Sequence, residues 1–200
     1  INNNEIINNS AGASYPATVN FIDGSRLLEF TGNTIQGNQL TNGIFIKATK
    51  RVNFSENIIQ YNFTNNDNQS HQNFVQTTRD LVIFDENIDV EMMPHQFIGN
   101  TFENNQCTNG GFIITPDVAI FTNNELLGCS ASDGHFASFS DVGEFNDNQI
   151  SNCSSSDGHF ASFSDVGEFN GNQISNCSAS NGHFASFSDV GEFNGNQISN

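Results

Sequence analysis

From Cys129 onward the chain repeats itself. The 24 residues from Cys129, which begin Cys-Ser-Ala-Ser-Asp-Gly-His-Phe, recur almost unchanged from Cys153 and again from Cys177. A period between about 20 and 50 residues marks a solenoid, propeller or array, because one such unit cannot bury its own apolar face and must stack on its neighbours. Inside the repeat lies a shorter signature, Phe-x-x-Asn-x-Ile, at Phe145/Asn148/Ile150, Phe169/Asn172/Ile174 and Phe193/Asn196/Ile198. Stepping back by 24 finds Phe121/Asn124/Leu126 and Phe97/Asn100/Phe102, and further up Phe54/Asn57/Ile59 and Phe30/Asn33/Ile35. Ile1/Asn4/Ile6 fits the same template, so the divergent half follows the rule of the regular half.

Two coils are longer than the period. Ile1 to Phe30 spans 29 residues and Phe54 to Phe97 spans 43. A second marker, a Phe nine positions before the signature Phe, recurs as Phe21, Phe45, Phe112, Phe136, Phe160 and Phe184. In the long coil the Leu-Val-Ile-Phe run at 81–84 takes that role, which predicts one side insertion near 65–78 and a smaller one near 85–94. Insertions in a solenoid become loops on its flank.

Apolar residues do not recur at helical spacing. They form short runs of Phe, Ile and Val between Gly, Asn, Asp and Ser, which reads as strands and turns. Three runs fit each coil, for example 135–140, 142–145 and 149–152. The expected fold is all-β: a parallel β-helix of about 24 residues per coil over 1–200, with three short strands per coil, read as part of a longer chain. Rungs about 4.8 Å apart would pile Phe30, Phe54, Phe97, Phe121, Phe145, Phe169 and Phe193 into one core column. Asn4, Asn33, Asn57, Asn100, Asn124, Asn148, Asn172 and Asn196 would form an internal amide ladder. These Asn are also expected to sit in the tight turns, since Asn tolerates the left-handed backbone.

Phe-x-x-Asn-x-Ile with an Asn turn resembles the parallel β-helix repeat of the pectate-lyase-like superfamily, over essentially the whole chain. The resemblance implies a right-handed, three-sheet helix with an Asn ladder. That superfamily spans polysaccharide lyases and hydrolases, phage tailspikes, adhesins and surface-layer proteins, so it leaves the activity open.

Charge narrows the partners. The formal net charge is −17, and all five basic residues, Arg26, Lys47, Lys50, Arg51 and Arg79, precede position 80. Nucleic acid and anionic lipid need Lys and Arg to displace counterions, so neither is an expected partner. No run of 18 apolar residues occurs, and no membrane insertion is expected.

Catalysis finds little support. Lyases of the resembled fold set acids and calcium beside an Arg or Lys, and none follows Arg79. Asp133, His135 and Ser138 lie close together, but the trio recurs as Asp157, His159 and Ser162 and, with Asn181 for the Asp, once more, whereas an active site is a single asymmetric constellation. Asp141, Asp165 and Asp189 should form one acid column and Glu144, Glu168 and Glu192 another; oxygen ligands of that kind suit calcium, though no cofactor is required. His135, His159 and His183 form a further column, open to a metal or a pH response. Cys107, Cys129, Cys153 and Cys177 are either disulfide partners or a column of buried thiols. Asn-x-Ser/Thr sequons stand at Asn8, Asn53, Asn62, Asn68, Asn152 and Asn176.

The functional expectation is an extracellular or cell-surface rod, fibre or adhesin shaft whose copies join end to end. The alternative is a β-helix that binds or processes carbohydrate. It requires aromatic rings on an open face, for which Phe139, Phe163 and Phe187 are the candidates.

Overall fold

A computed structural model describes residues 1–12, 21–24, 29–48, 53–65, 75–77, 95–108, 111–132, 135–157, 159–181, 183 and 185–199. Among these residues every element is a strand and every strand pairing is parallel. The strands form three sheets of eight, seven and ten members, wound as a β-solenoid.

The first sheet is built from the signature itself. Glu5–Ile7, Thr34–Gln36, Ile58–Gln60, Thr101–Glu103, Glu125–Leu127, Gln149–Ser151, Gln173–Ser175 and Gln197–Ser199 pair in that order. Each strand has three residues, and the middle one (Ile35, Ile59, Phe102, Leu126, Ile150, Ile174) is buried while its neighbours face outward. Such strands are short because a sharp corner bounds them at each end.

Those corners hold a positive φ, but not at the ladder Asn. The residue immediately before it adopts the left-handed conformation: Asn3, Gly32, Glu56, Gly99, Asn123, Asp147, Gly171 and Gly195, with φ between 50° and 66°. A second corner follows five residues later, at Asn8, Gly37, Tyr61, Asn104, Gly128, Asn152 and Asn176. Gly, Asn and Asp tolerate this conformation, and they fill most of the positions. The expectation that the ladder Asn forms the turn is therefore corrected by one residue. An extended ladder residue can aim its amide inward, whereas the left-handed residue before it turns its side chain elsewhere.

The second sheet runs Ser10–Gly12, Gln39–Thr41, Phe63–Asn65, Gln106–Thr108, Ser130–Ala131, Ser154–Ser155 and Ser178–Ala179. The third sheet changes character along the axis. Its early rungs use pairs of short strands, such as Ile46–Ala48 and Asn53–Ser55. Its later rungs are continuous ten-residue strands, Ile113–Thr122, Ala137–Asn146, Ala161–Asn170 and Ala185–Asn194. Within Ala161–Asn170 the buried residues are Ala161, Phe163, Val166 and Phe169. Alternation fails twice, after Phe163 and after Val166, and the in-register pairing skips Ser164 and Gly167 at those points. The strand wraps a corner there without ending. Glycine is required at the second point: a Cβ at Gly167 would stand 2.6 Å from the Gly143 carbonyl oxygen of the rung before.

In the long coil the third-sheet position between Ile46 and Ile113 is taken by Val75, not by the run at 81–84, which lies outside the described residues. Ile46 to Val75 is 29 residues and Val75 to Ile113 is 38; residues 66–74 and 78–94, which hold most of the two expected insertions, lie outside the described residues.

The core is a set of columns. Rings on successive rungs stack nearly parallel, with centroids 5.0 Å apart for Phe121–Phe145, 5.0 Å for Phe145–Phe169 and 5.1 Å for Phe169–Phe193. A second column joins Phe112, Phe136 and Phe160 at 5.0 and 4.9 Å. Each ring buried this fully contributes roughly 1.5–3 kcal/mol relative to exposure, and only the neighbouring rungs can supply that burial.

Candidate functional site

The chemistry-bearing side chains are arranged by rung, and two amide ladders set the frame. Along the first, the backbone N–H and the Nδ2 of each Asn both donate to the Oδ1 of the next. Asn124, for example, donates to Asn148 Oδ1 at 3.0 and 3.2 Å, and its Nδ2 also reaches the Phe97 carbonyl at 2.9 Å. Asn4, Asn33, Asn57, Asn100, Asn124, Asn148, Asn172 and Asn196 all take part. Every amide is satisfied, which allows Asn33, Asn57, Asn100, Asn124 and Asn172 to be wholly buried.

A second ladder, missed in the sequence, runs five residues further on through Asn9, Asn38, Asn62 and Asn105. At the next rung it changes chemistry. Asn105 Nδ2 points at Cys129 Sγ at 3.9 Å, and Cys129, Cys153 and Cys177 continue the column. Their sulfurs point at the carbonyls of Phe102, Leu126 and Ile150 at 3.4, 3.3 and 3.7 Å, the positions that Asn62 and Asn105 reach with Nδ2 at Ile35 and Ile59. The signal was the offset Asn-x4-Asn, hidden by the abundance of Asn and by the switch to Cys.

All four cysteines are free and buried. Cys107 does not belong to the column of the other three: it pairs in register with Thr64 and Ala131 on the second sheet. Of the two alternatives, disulfide partners or buried thiols, this structure shows thiols, with Cys107 in a column apart from the other three. Burial holds Cys153 far up in pKa as a neutral thiol, whereas hydrogen bonding from Cys153 pulls Cys177 down.

The sequons separate by environment. Asn8, Asn152 and Asn176 are exposed corner residues with left-handed φ, and Asn152 stands one rung from Asn176. Asn62 is buried in the second ladder, its Nδ2 donating to Ile35 O at 2.9 Å and Asn105 Oδ1 at 3.0 Å, so no glycan can be attached there without breaking the ladder. Asn53 lies half-buried in a strand with its Oδ1 enclosed. Asn68 lies outside the described residues.

Phe139 and Phe163 are 2% and 3% exposed, and Phe187 is half-buried against the same core. Phe163 stacks on Phe187 at 5.0 Å and meets Phe169 edge-on at 5.7 Å. These rings are core, and the open aromatic face that the carbohydrate alternative requires is not formed by them. Sequence alone left their direction open; Phe136 and Ala137 are both buried, as are Phe160 and Ala161, so alternation breaks before these rings and turns them inward.

The carboxylate columns are in register as expected: Asp141 with Asp165 and Asp189, Glu144 with Glu168 and Glu192. Among the described residues no three His, Cys, Asp or Glu side chains converge on a point where a metal ion could sit. The Asp and Glu columns are separate rows along the outer face, which places like charges on successive rungs without gathering ligands around one centre. Asp133 lies outside the described residues; in the next copy of the trio Asp157 is exposed and its Oδ1 accepts from Asn181 Nδ2 of the following rung, while His159 Nδ1 accepts from the His183 N–H.

The histidines do form a column. His135 and His159 stack at 5.0 Å, His159 and His183 at 5.1 Å. The backbone N–H of His159 donates to His135 Nδ1 at 3.0 Å, and that of His183 donates to His159 Nδ1 at 2.8 Å. A backbone N–H can donate only to an unprotonated Nδ1, so each contact selects the ring tautomer that carries its proton on Nε2. Burial, then repulsion from His159, lowers the pKa of His135.

No family model matches the chain, and no curated protein matches it. Among solved structures it is similar to trypsin-treated QnrB1, described as a plasmid-mediated fluoroquinolone resistance protein, at 13% identity over 88% of this chain and 82% of that one, with a TM-score of 0.23. What stands without that comparison is the architecture: this chain is a parallel β-solenoid with stacked asparagine ladders.

Proposed function

We propose that this chain is a structural solenoid, a rod-forming segment of an extracellular or surface protein that carries no catalytic centre of its own. The observation behind this reading is the sameness of the rungs: Ala137–Asn146, Ala161–Asn170 and Ala185–Asn194 have one sequence and pair residue for residue. Repeating a rung lengthens a rod and adds no asymmetric cluster of the kind an active site needs. Exposed Asn152 and Asn176 would carry glycans along one edge if the chain is secreted by a glycosylating cell.

The proposed partner is a further copy, end to end. Ile1 on the first rung and Phe193 and Ile198 on the last are 48–50% exposed, although their counterparts Phe30, Phe169 and Ile174 inside the stack are buried. The ladder is polar along the axis: a rung laid on the last one would offer an Oδ1 to the Asn196 N–H, as Asn196 does to Asn172 at 3.0 Å. Small-angle scattering over a concentration series tests this. Lengthening at constant cross-section, abolished by Ile198→Lys, is expected; a monomer of fixed length at every concentration would refute the end-to-end partner.

A further inference from the structure

We propose that the column of Cys129, Cys153 and Cys177 is a binding site for a soft monovalent cation, Cu(I) or Ag(I), held linearly between sulfurs of successive rungs. Three observations meet here. First, the sulfurs continue the second ladder, in which the backbone N–H and Nδ2 of one rung face the acceptor of the next: Asn105 Nδ2 points at Cys129 Sγ at 3.9 Å, and Cys153 and Cys177 occupy the following rungs. Such N–H groups are preset donors to a thiolate. In the Asn ladders the same N–H donates to a carbonyl oxygen at 2.8–3.1 Å.

Second, the spacing fits. Stacked rings on these rungs repeat at 4.9–5.1 Å, and two metal–sulfur bonds of about 2.3 Å laid end to end span about 4.6 Å. A disulfide needs its Cβ atoms closer, about 3.5–4.5 Å apart, than in-register rungs place them. Third, the surroundings select the ion. The three cysteines are at most 2% exposed, in an apolar core where, among the described residues, no three His, Cys, Asp or Glu ligands converge on one point. A tetrahedral ion such as Zn(II) finds too few ligands, whereas soft thiolates favour Cu(I). As hydrogen-bonding groups alone the thiols are weaker substitutes, since an S–H is a weak donor with one proton where the Asn amide offers two.

The balance is simple. One ion bridging two thiols releases two protons and leaves an anionic S–M–S unit. A second ion, with Cys153 bridging, releases one more and leaves the site with a single negative charge. No oxidation is involved.

The test uses the full chain, refolded anaerobically with Ag(I) or Cu(I) alone so that access to the core is not limiting. Native mass spectrometry should find up to two ions per chain, with a sulfur-to-metal absorption band in the ultraviolet and a raised melting temperature. Replacing Cys129, Cys153 and Cys177 together by Asn should abolish uptake while the circular dichroism of the fold persists, because the ladder already accepts Asn at the equivalent positions. Cys107→Ala should leave uptake unchanged. Equal uptake by the triple Asn variant, dependence on Cys107, or no uptake on refolding would each overturn the proposal.

Discussion

The coils around Phe30–Phe54 and those around Phe145–Phe169 solve the same packing problem with different side chains. In the earlier coils the second sheet turns Leu40 and Thr64 into the core, and the second ladder is Asn38 and Asn62. In the later coils the second sheet supplies only Ala131 and Ser155, and the ladder has become Cys129 and Cys153. Bulk returns on the third sheet, where Thr115 of the transitional coil gives way to Phe139 and Phe163. The cross-section is thus filled from whichever side offers volume, while the first sheet and first ladder stay constant from Asn4 to Asn196. The constant elements define the fold; the variable ones are where the chain has been free to acquire chemistry.

The first ladder should therefore be the costliest place to intervene. Asn124→Leu removes donors to Phe97 O and Asn148 Oδ1 and strips the acceptor from Asn100, leaving several buried polar groups unpaired. A loss of about 3–5 kcal/mol is expected, read as a shift in denaturation midpoint. Asn124→Cys should cost less than Asn124→Leu, because the second ladder tolerates that exchange. Equal costs would mean that the two ladders are not equivalent devices.

Next comes the corner unique to the later coils. Gly167→Ala drives a Cβ to 2.6 Å from the Gly143 carbonyl, and overpacking of this kind costs about 1–3 kcal/mol. A neutral result in thermal unfolding would show that the rungs are less tightly stacked than described.

The third coil carries strain that the later ones avoid. Glu56 and Tyr61 hold φ of 55° and 54° where the preceding coil has Gly32 and Gly37. Glu56→Gly should raise stability by about 1 kcal/mol, the lower end of the left-handed penalty for a side chain bearing Cβ. Lower stability would indicate that the Glu56 side chain is itself used.

The smallest effect concerns pH and belongs only to the later coils. His135 has its pKa lowered by burial and by His159, below the ordinary 6.5. Between the two values the unfolded chain binds more protons, so stability is complete above pH 6.5 and falls as pH drops through 6.5 towards the folded value. His135 is partly exposed, so solvent screening keeps the slope shallow. His135→Asn should flatten it; an unchanged slope would assign the pH response elsewhere.

The period, the Phe column and the first ladder were legible because stacking forces chemically equal residues to recur, and recurrence survives divergence from Phe145 back to Phe30. The second ladder was not, because its members change from Asn105 to Cys129 while performing one task. The left-handed corner escaped for a related reason: Gly, Asn, Asp, Glu and Tyr all occupy it, so backbone geometry recurs there without residue identity. The direction of Phe139 depended on where a strand departs from alternation, which no local pattern records. The strand at Val75–Thr77 was displaced in the reading by the more apolar run at 81–84, since apolar content was the available guide and register was not.

Spin labels at Asp141 and Asp165, in a variant whose cysteines are replaced, measure the winding itself. One rung apart, about 5 Å at the backbone, they should broaden each other's spectra strongly, and labels at Asp141 and Asp189 should do so distinctly less. Sharp, uncoupled spectra from the Asp141/Asp165 pair would mean that residues 24 apart are not neighbours and that the chain does not wind as a solenoid.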